Sequence, residues 1–111
     1  MHNKRKIEEI QPILANIKII LKTIYKQRLL DLFLNGSFAK NNATENSDID
    51  IAIVLDGNID KLKEIDKISD STYPLMLETN ELFSFLPVSK EEFNHSHLPI
   101  YYNIKNEGIR I

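Results

Sequence analysis

Residues 36 to 55 read Gly36-Ser37-Phe38-Ala39-Lys40-Asn41-Asn42-Ala43-Thr44-Glu45-Asn46-Ser47-Asp48-Ile49-Asp50-Ile51-Ala52-Ile53-Val54-Leu55. The two ends of this stretch carry complementary chemistry. Gly36 lets the backbone approach an anion with no side chain in the way, and Ser37 adds a hydroxyl beside the amides of the helix that follows. Asp48 and Asp50 head a β-branched run with period-two alternation, so both carboxylates leave one face of a strand. Two oxygen ligands on one face suit Mg2+.

Working outward, residues 29 to 34 form a compact apolar segment broken by Asp31 and closed by Asn35-Gly36, which reads as a buried strand entering the glycine turn. Residues 37 to 41 are expected to form a short helix. Residues 41 to 46 are polar and aperiodic, so they read as a loop, and Ser47 leads into a strand over 48 to 56. Upstream, Ile10, Leu14, Ile17, Leu21 and Ile24 recur at steps of three and four, the stripe of an amphipathic helix. Pro12 falls inside that stripe, which places the regular helical start near Gln11.

Downstream, Asn58 or Asp60 can cap a helix carrying Ile59, Leu62, Ile65, Ile68, Leu75 and Met76, with Pro74 expected to bend or interrupt it. Residues 81 to 88 read as another strand, and Pro87 places it at an edge or leaving the sheet. Ser89 and Glu92 form a capping box for the next helix, Pro99 opens a last one through Lys105, and Gly108 stops it before Ile109-Arg110-Ile111. No internal repeat or low-complexity segment interrupts this order.

Composition bounds the function classes. The 111 residues suffice for one core, so the expectation is a single domain over 1–111, with any elaborate acceptor site supplied by a partner. There is no cysteine, which excludes disulfides, thiolate zinc sites and intrinsic redox chemistry, and fits a reducing cytosol. No apolar run approaches the ~18 residues that span a bilayer, and Met1-His2-Asn3-Lys4-Arg5-Lys6 leads into no hydrophobic signal core, so a cytoplasmic chain without a membrane partner is expected. A net charge of −2 supplies no global basic field, and Lys4, Arg5 and Lys6 read as a solvated helix start, so nucleic acid is a weak partner candidate.

Gly36-Ser37, the spacer, and Ser47-Asp48-Ile49-Asp50-Ile51 together resemble the signature of the minimal nucleotidyltransferases of the DNA polymerase β-like superfamily, of the antitoxin type. Nearly the whole chain follows their order of elements. The resemblance implies an α/β (α+β) nucleotidyltransferase fold, a small mixed or antiparallel sheet with helices packed on one face and the metal site on the other. It implies that Gly36 and Ser37 seat a triphosphate, that Asp48 and Asp50 bind divalent metal and carry catalysis, and that Ser47 positions the carboxylate strand. Two Mg2+ ions, or Mn2+, and ATP are the implied cofactor and substrate. The implied reaction moves AMP from ATP onto a hydroxyl, the acceptor being a tyrosine on a partner toxin of the helical HEPN class.

The chain departs from that family pattern in three places. Asn35 stands where an aromatic residue is usual, and Lys40 stands where an arginine is usual, offering phosphate a point charge without the bidentate fork. On the strand over 81 to 88, Phe83 and Phe85 are expected to face the helices, which turns Leu82, Ser84 and Leu86 toward the active face and puts Ser84 where the wider superfamily carries a third carboxylate. Glu78 and Glu81 are the nearest acids, each with an exposed polar role as the plainer reading. His95 and His97 lack a third ligand and read as surface residues, and Tyr101 and Tyr102 read as packing side chains. Two further functions fit the same residues: a binding module whose chemistry has lapsed, and a small-molecule transferase of the aminoglycoside-modifying kind, which usually carries an additional helical domain. Apolar Phe83, Phe85 and Ile100 are compatible with a homodimer or a hetero-oligomer.

Overall fold

The structure, a computed structural model, describes residues 4–111; the reading of Met1 to Asn3 as the start of a chain without a signal core lies outside the described residues. The apolar stripe closes into helix α1 (Ile7–Tyr25), which buries Ile10, Leu14, Ile17, Leu21 and Tyr25 along one side. It starts before the expected Gln11, because the Glu9 carboxylate accepts the Lys6 backbone N–H at 2.8 Å and fixes the first turn. Pro12 removes only the bond to the carbonyl of Glu8, an exposed residue, so the helix runs through it.

A 3-10 turn (Lys26–Arg28) then delivers the chain to β1 (Leu29–Asn35), followed by the short helix α2 (Gly36–Ala39) and by β2 (Ile49–Leu55). Helix α3 (Lys61–Thr79) is capped by Asp60, whose carboxylate accepts the Lys63 amide at 3.4 Å. Pro74 lies on its exposed side, where the freed carbonyl meets water, so the helix is not interrupted as the sequence suggested. β3 (Phe83–Ser89), α4 (Lys90–His95), α5 (Pro99–Glu107) and β4 (Ile109–Arg110) complete the order. The last of these was unexpected: Ile109 and Arg110 pair antiparallel with Leu34 and Phe33.

The four strands lie in the order β3-β2-β1-β4. β1 runs antiparallel to β2, and β3 runs parallel to β2, giving a mixed sheet with Pro87 on the edge strand. On one face, alternate residues Ile49, Ile51, Ile53 and Leu55 of β2 pack with Leu32 and Leu34 against the buried stripes of α1 and α3, and Phe83 and Phe85 join that core. Burying each such aliphatic side chain contributes roughly 1.5–3 kcal/mol. The opposite face is not bare. Phe33, Ala52, Val54 and Val88 form a smaller cluster with Phe93 of α4 and with Tyr101 and Ile104 of α5. Thus the long helices occupy one face as expected, while two short helices shield part of the other and leave open the end where β2 begins.

Candidate active site

At that open end the strand register lines up three polar side chains across the sheet. Asn35 of β1 pairs with Asp50 of β2, and Asp50 pairs with Ser84 of β3. All three continue the face that carries Phe33, Ala52 and Leu86, as the alternation of a strand requires. Gly36 turns directly beneath this row. Its φ of +72° is left-handed, and a β-carbon built on it would lie 2.1 Å from Asp50 Oδ2, so the carboxylate rests against bare glycine backbone. Both the angle and the approach require glycine.

Asp48 precedes β2 by one residue and is exposed, whereas Asp50 is half-buried. Burial pushes the Asp50 carboxyl above its ordinary range, the nearby Asp48 charge pushes the same way, and a hydrogen bond with the Ser84 side chain opposes both. A carboxylate held back from ionisation by burial and by a neighbouring like charge is a site that favours a cation. The residues therefore fit a divalent ion: two carboxylates two positions apart at the head of β2, the second of them against a glycine cradle that a β-carbon would fill.

The remaining candidates divide between structural and open positions. Ser47 Oγ accepts the Thr44 amide at 2.8 Å and its own amide donates to the Thr44 carbonyl at 3.1 Å, so Ser47 closes the turn that aims Asp48. Ser37 is half-buried in α2, and its carbonyl accepts the Asn42 amide at 2.9 Å. Lys40 reaches Glu107 of α5 at 3.6 Å, both side chains more than half exposed. Between α2 and α5 lies a cleft of about 200 Å3 lined by Asn35, Gly36, Ala39, Ile104, Asn103 and Lys40.

Glu81 is engaged in a two-pronged pairing with the Arg5 guanidinium, one contact at 3.0 Å and a shorter one through Nη2. Glu78 is exposed in the last turn of α3. Among the described residues no group of three histidine, cysteine, aspartate or glutamate side chains is gathered that could hold a metal, so the acidic pair stands without a third acid beside it. His95 and His97 are both exposed. Tyr101 is buried and accepts a hydrogen bond from Lys61 Nζ at 2.8 Å, while Tyr102 is 69% exposed. No helix among the described residues is long and apolar enough to cross a membrane.

Two groups of residues escaped the sequence reading. Arg5 belongs to the basic run that reads as a solvated helix start, and its partner stands 76 positions away. Asn103 and Glu107 sit at helical spacing on α5 and come to the cleft only through the packing of that helix over β1. The one local signal was Asn35, a polar residue at the end of an apolar strand immediately before the glycine.

Comparison with known proteins agrees with this geometry. Residues 14–108 match the family described as nucleotidyltransferase domain. A protein of Methanocaldococcus jannaschii named "Putative protein adenylyltransferase MJ0604" is 34% identical over 79% of this chain and 83% of its own length. A second from the same organism, "Putative protein adenylyltransferase MJ1379", is 38% identical over 72% of this chain and 65% of its own length. Crystal structures of two mutants of the toxin-antitoxin MntA-HpeT share the fold: TM-score 0.57 at 17% identity, covering 86% of this chain and 69% of that one, and TM-score 0.56 at 18% identity, covering 87% and 70%.

Proposed function

The chain belongs to the nucleotidyltransferase domain family, and from that premise we propose that it moves AMP from ATP onto a protein hydroxyl, a tyrosine of a HEPN-type partner toxin. The observation that carries the reading is the packing of Asp50 against Gly36, which brings a carboxylate of the acidic strand into contact with the glycine turn. Asp48 and Asp50 are the residues that would hold Mg2+ or Mn2+, which when bound neutralises triphosphate charge and polarises the α-phosphorus. Gly36 and Ser37 offer backbone and hydroxyl to the β- and γ-phosphates. Lys40, exposed at the end of α2, exchanges Glu107 for phosphate oxygens. The cleft beside Gly36 gives room to the rest of the nucleotide, with the amides of Asn35 and Asn103 on its lining.

In the step itself the acceptor oxygen bonds to the α-phosphorus, the bond from that phosphorus to the bridging oxygen breaks, and pyrophosphate leaves with the electron pair. The acceptor proton passes to solvent, since the row offers Ser84 where a third carboxylate would take it. The names of the relatives support a protein acceptor, and the toxin-antitoxin context of the structural neighbours supports a toxin as its bearer.

The test is to incubate the chain with ATP labelled at the α-phosphate, Mg2+ and the product of the adjacent gene, and to map the label by mass spectrometry. Label on a partner tyrosine is the expected result; label transfer that persists in the Asp48→Ala, Asp50→Ala double variant would sink the catalytic assignment. Ser84 in the acidic row favours one second reading, a binding module that neutralises its partner by contact alone. Tight complex formation without transfer in either protein would establish that reading instead.

A further inference from the structure

Three segments must keep their places for the row at the head of β2 to work: the α2 turn, the loop from 41 to 47, and the segment at 81 and 82 that enters β3. Arg5 touches all three. Its backbone amide donates to the Ala43 carbonyl at 2.8 Å, next to a bridge between Lys4 and Thr44, so the segment before α1 lies as a short strap along the loop. Its guanidinium stacks 5.2 Å from the centre of the Phe38 ring, the buried side chain of α2. The same group grips Glu81 with both prongs, and both side chains are largely shielded, at 20% and 14% exposure.

Each contact leads to a different part of the site. Thr44, bridged to Lys4, holds Ser47, and Ser47 precedes Asp48. Phe38 lies two residues after Gly36. Glu81 lies just before Leu82, whose carbonyl accepts the Ile49 amide at 2.9 Å between the two aspartates. A planar fork that is pre-organised for a carboxylate and stacks on an aromatic face does this as a lysine cannot.

We propose that Arg5 is a positioning residue of the site, a clamp that holds the two aspartates and the Gly36 turn in register by joining the loop, α2 and the segment that enters β3. This rests on the nucleotidyltransferase reading for its functional consequence, though not for its structural one. Nothing in it requires Arg5 to touch nucleotide.

The test compares Arg5→Ala, Arg5→Lys and the swapped pair Arg5→Glu with Glu81→Arg in the full chain. Two readouts are taken well below the unfolding transition: amide hydrogen exchange across residues 43 to 48, and affinity for Mn2+ with ATP by electron paramagnetic resonance. Arg5→Ala should speed exchange in that loop and weaken Mn2+-ATP binding by about tenfold, Arg5→Lys should recover only part of either, and the swapped pair should recover most of the exchange protection. Exchange and affinity matching the unaltered protein would overturn the proposal, as would a uniform rise in exchange over the whole chain, the mark of general destabilisation. Should Arg5→Ala fail to fold, Arg5→Lys decides, since it keeps the charge and lacks the fork. If the unaltered chain binds no Mn2+-ATP, the nucleotidyltransferase reading fails, while the loop exchange still supports or overturns the clamp.

Discussion

Asp50 Oδ2 lies where a β-carbon of residue 36 would be, 2.1 Å from that ideal position, so the acidic strand and the glycine turn are in direct contact. Gly36→Ala must both abandon a left-handed φ and push the carboxylate aside. The expected cost is ~1–3 kcal/mol in stability, read by thermal or urea unfolding, with at least about a 100-fold loss of transfer activity from displacement of the site. Wild-type activity in a folded Gly36→Ala protein would show that the contact has no functional part.

Asp50 opposes the fold that holds it. Its carboxyl titrates above the ordinary range because burial and the Asp48 charge disfavour ionisation. Between the unfolded and folded pKa values the native chain therefore binds more protons than the unfolded one, and this contribution to stability is present below the unfolded pKa and lost as pH rises through the folded one. Asp50→Asn should flatten that slope and raise stability at neutral pH by on the order of 0.5 kcal/mol after solvent screening, while abolishing divalent-dependent transfer. Melting curves across pH, with and without Mg2+, check both parts, and Mg2+ should reduce the slope only in the unaltered protein.

Ser84 stands opposite Asp50 on an exposed position of the edge strand, where one substitution tests what a third acid would add. Ser84→Asp should lower the Mn2+ or Mg2+ concentration for half-maximal binding roughly tenfold, as an added charged ligand does. It should also push the Asp50 carboxyl further up in the metal-free protein. Titration with Mn2+ followed by paramagnetic resonance reads the first effect. An unchanged affinity would mean that residue 84 does not face the ion.

Away from the site, Tyr25 of α1 donates its hydroxyl to Glu64 of α3 at 2.8 Å, in a setting where Glu64 is only 6% exposed. Burial, then the bond to Glu64, hold the Tyr25 hydroxyl in its protonated, donating form far above the usual range. Tyr25→Phe leaves the buried carboxylate with the exposed Lys67 at 3.5 Å as its remaining ion-pair partner among the described residues. A loss of ~1–3 kcal/mol is expected, with transfer activity unchanged below the melting transition, as measured by urea denaturation alongside the transfer assay.

The glycine turn, the acidic strand and the order of elements were legible because each is written in local chemistry: a φ that only glycine takes readily, a period of two, a cap followed by a helical stripe. The facing of Ser84 was legible for the same reason, since Phe83 and Phe85 alternate with it toward the main core. What sequence could not show depends on distant partners. The strand at Ile109 and Arg110 exists only because β1 offers it an edge, and Glu81 is committed to Arg5 only because the strap before α1 folds back along the loop. The prolines misled in another way. Pro12 and Pro74 are tolerated because the carbonyls they orphan belong to exposed residues, and exposure is a property of the tertiary fold.

On the proposed function, the acidic pair and the glycine turn together form one seat for a metal-bound triphosphate. A crystal structure of the chain grown with Mn2+ and a non-hydrolysable ATP analogue decides whether that seat exists, because manganese is located by its anomalous signal. Manganese is expected between Asp48 and Asp50, with the β- and γ-phosphates against Gly36 and Ser37. Manganese absent from that pair, or a triphosphate seated away from the turn, would rule the shared seat out.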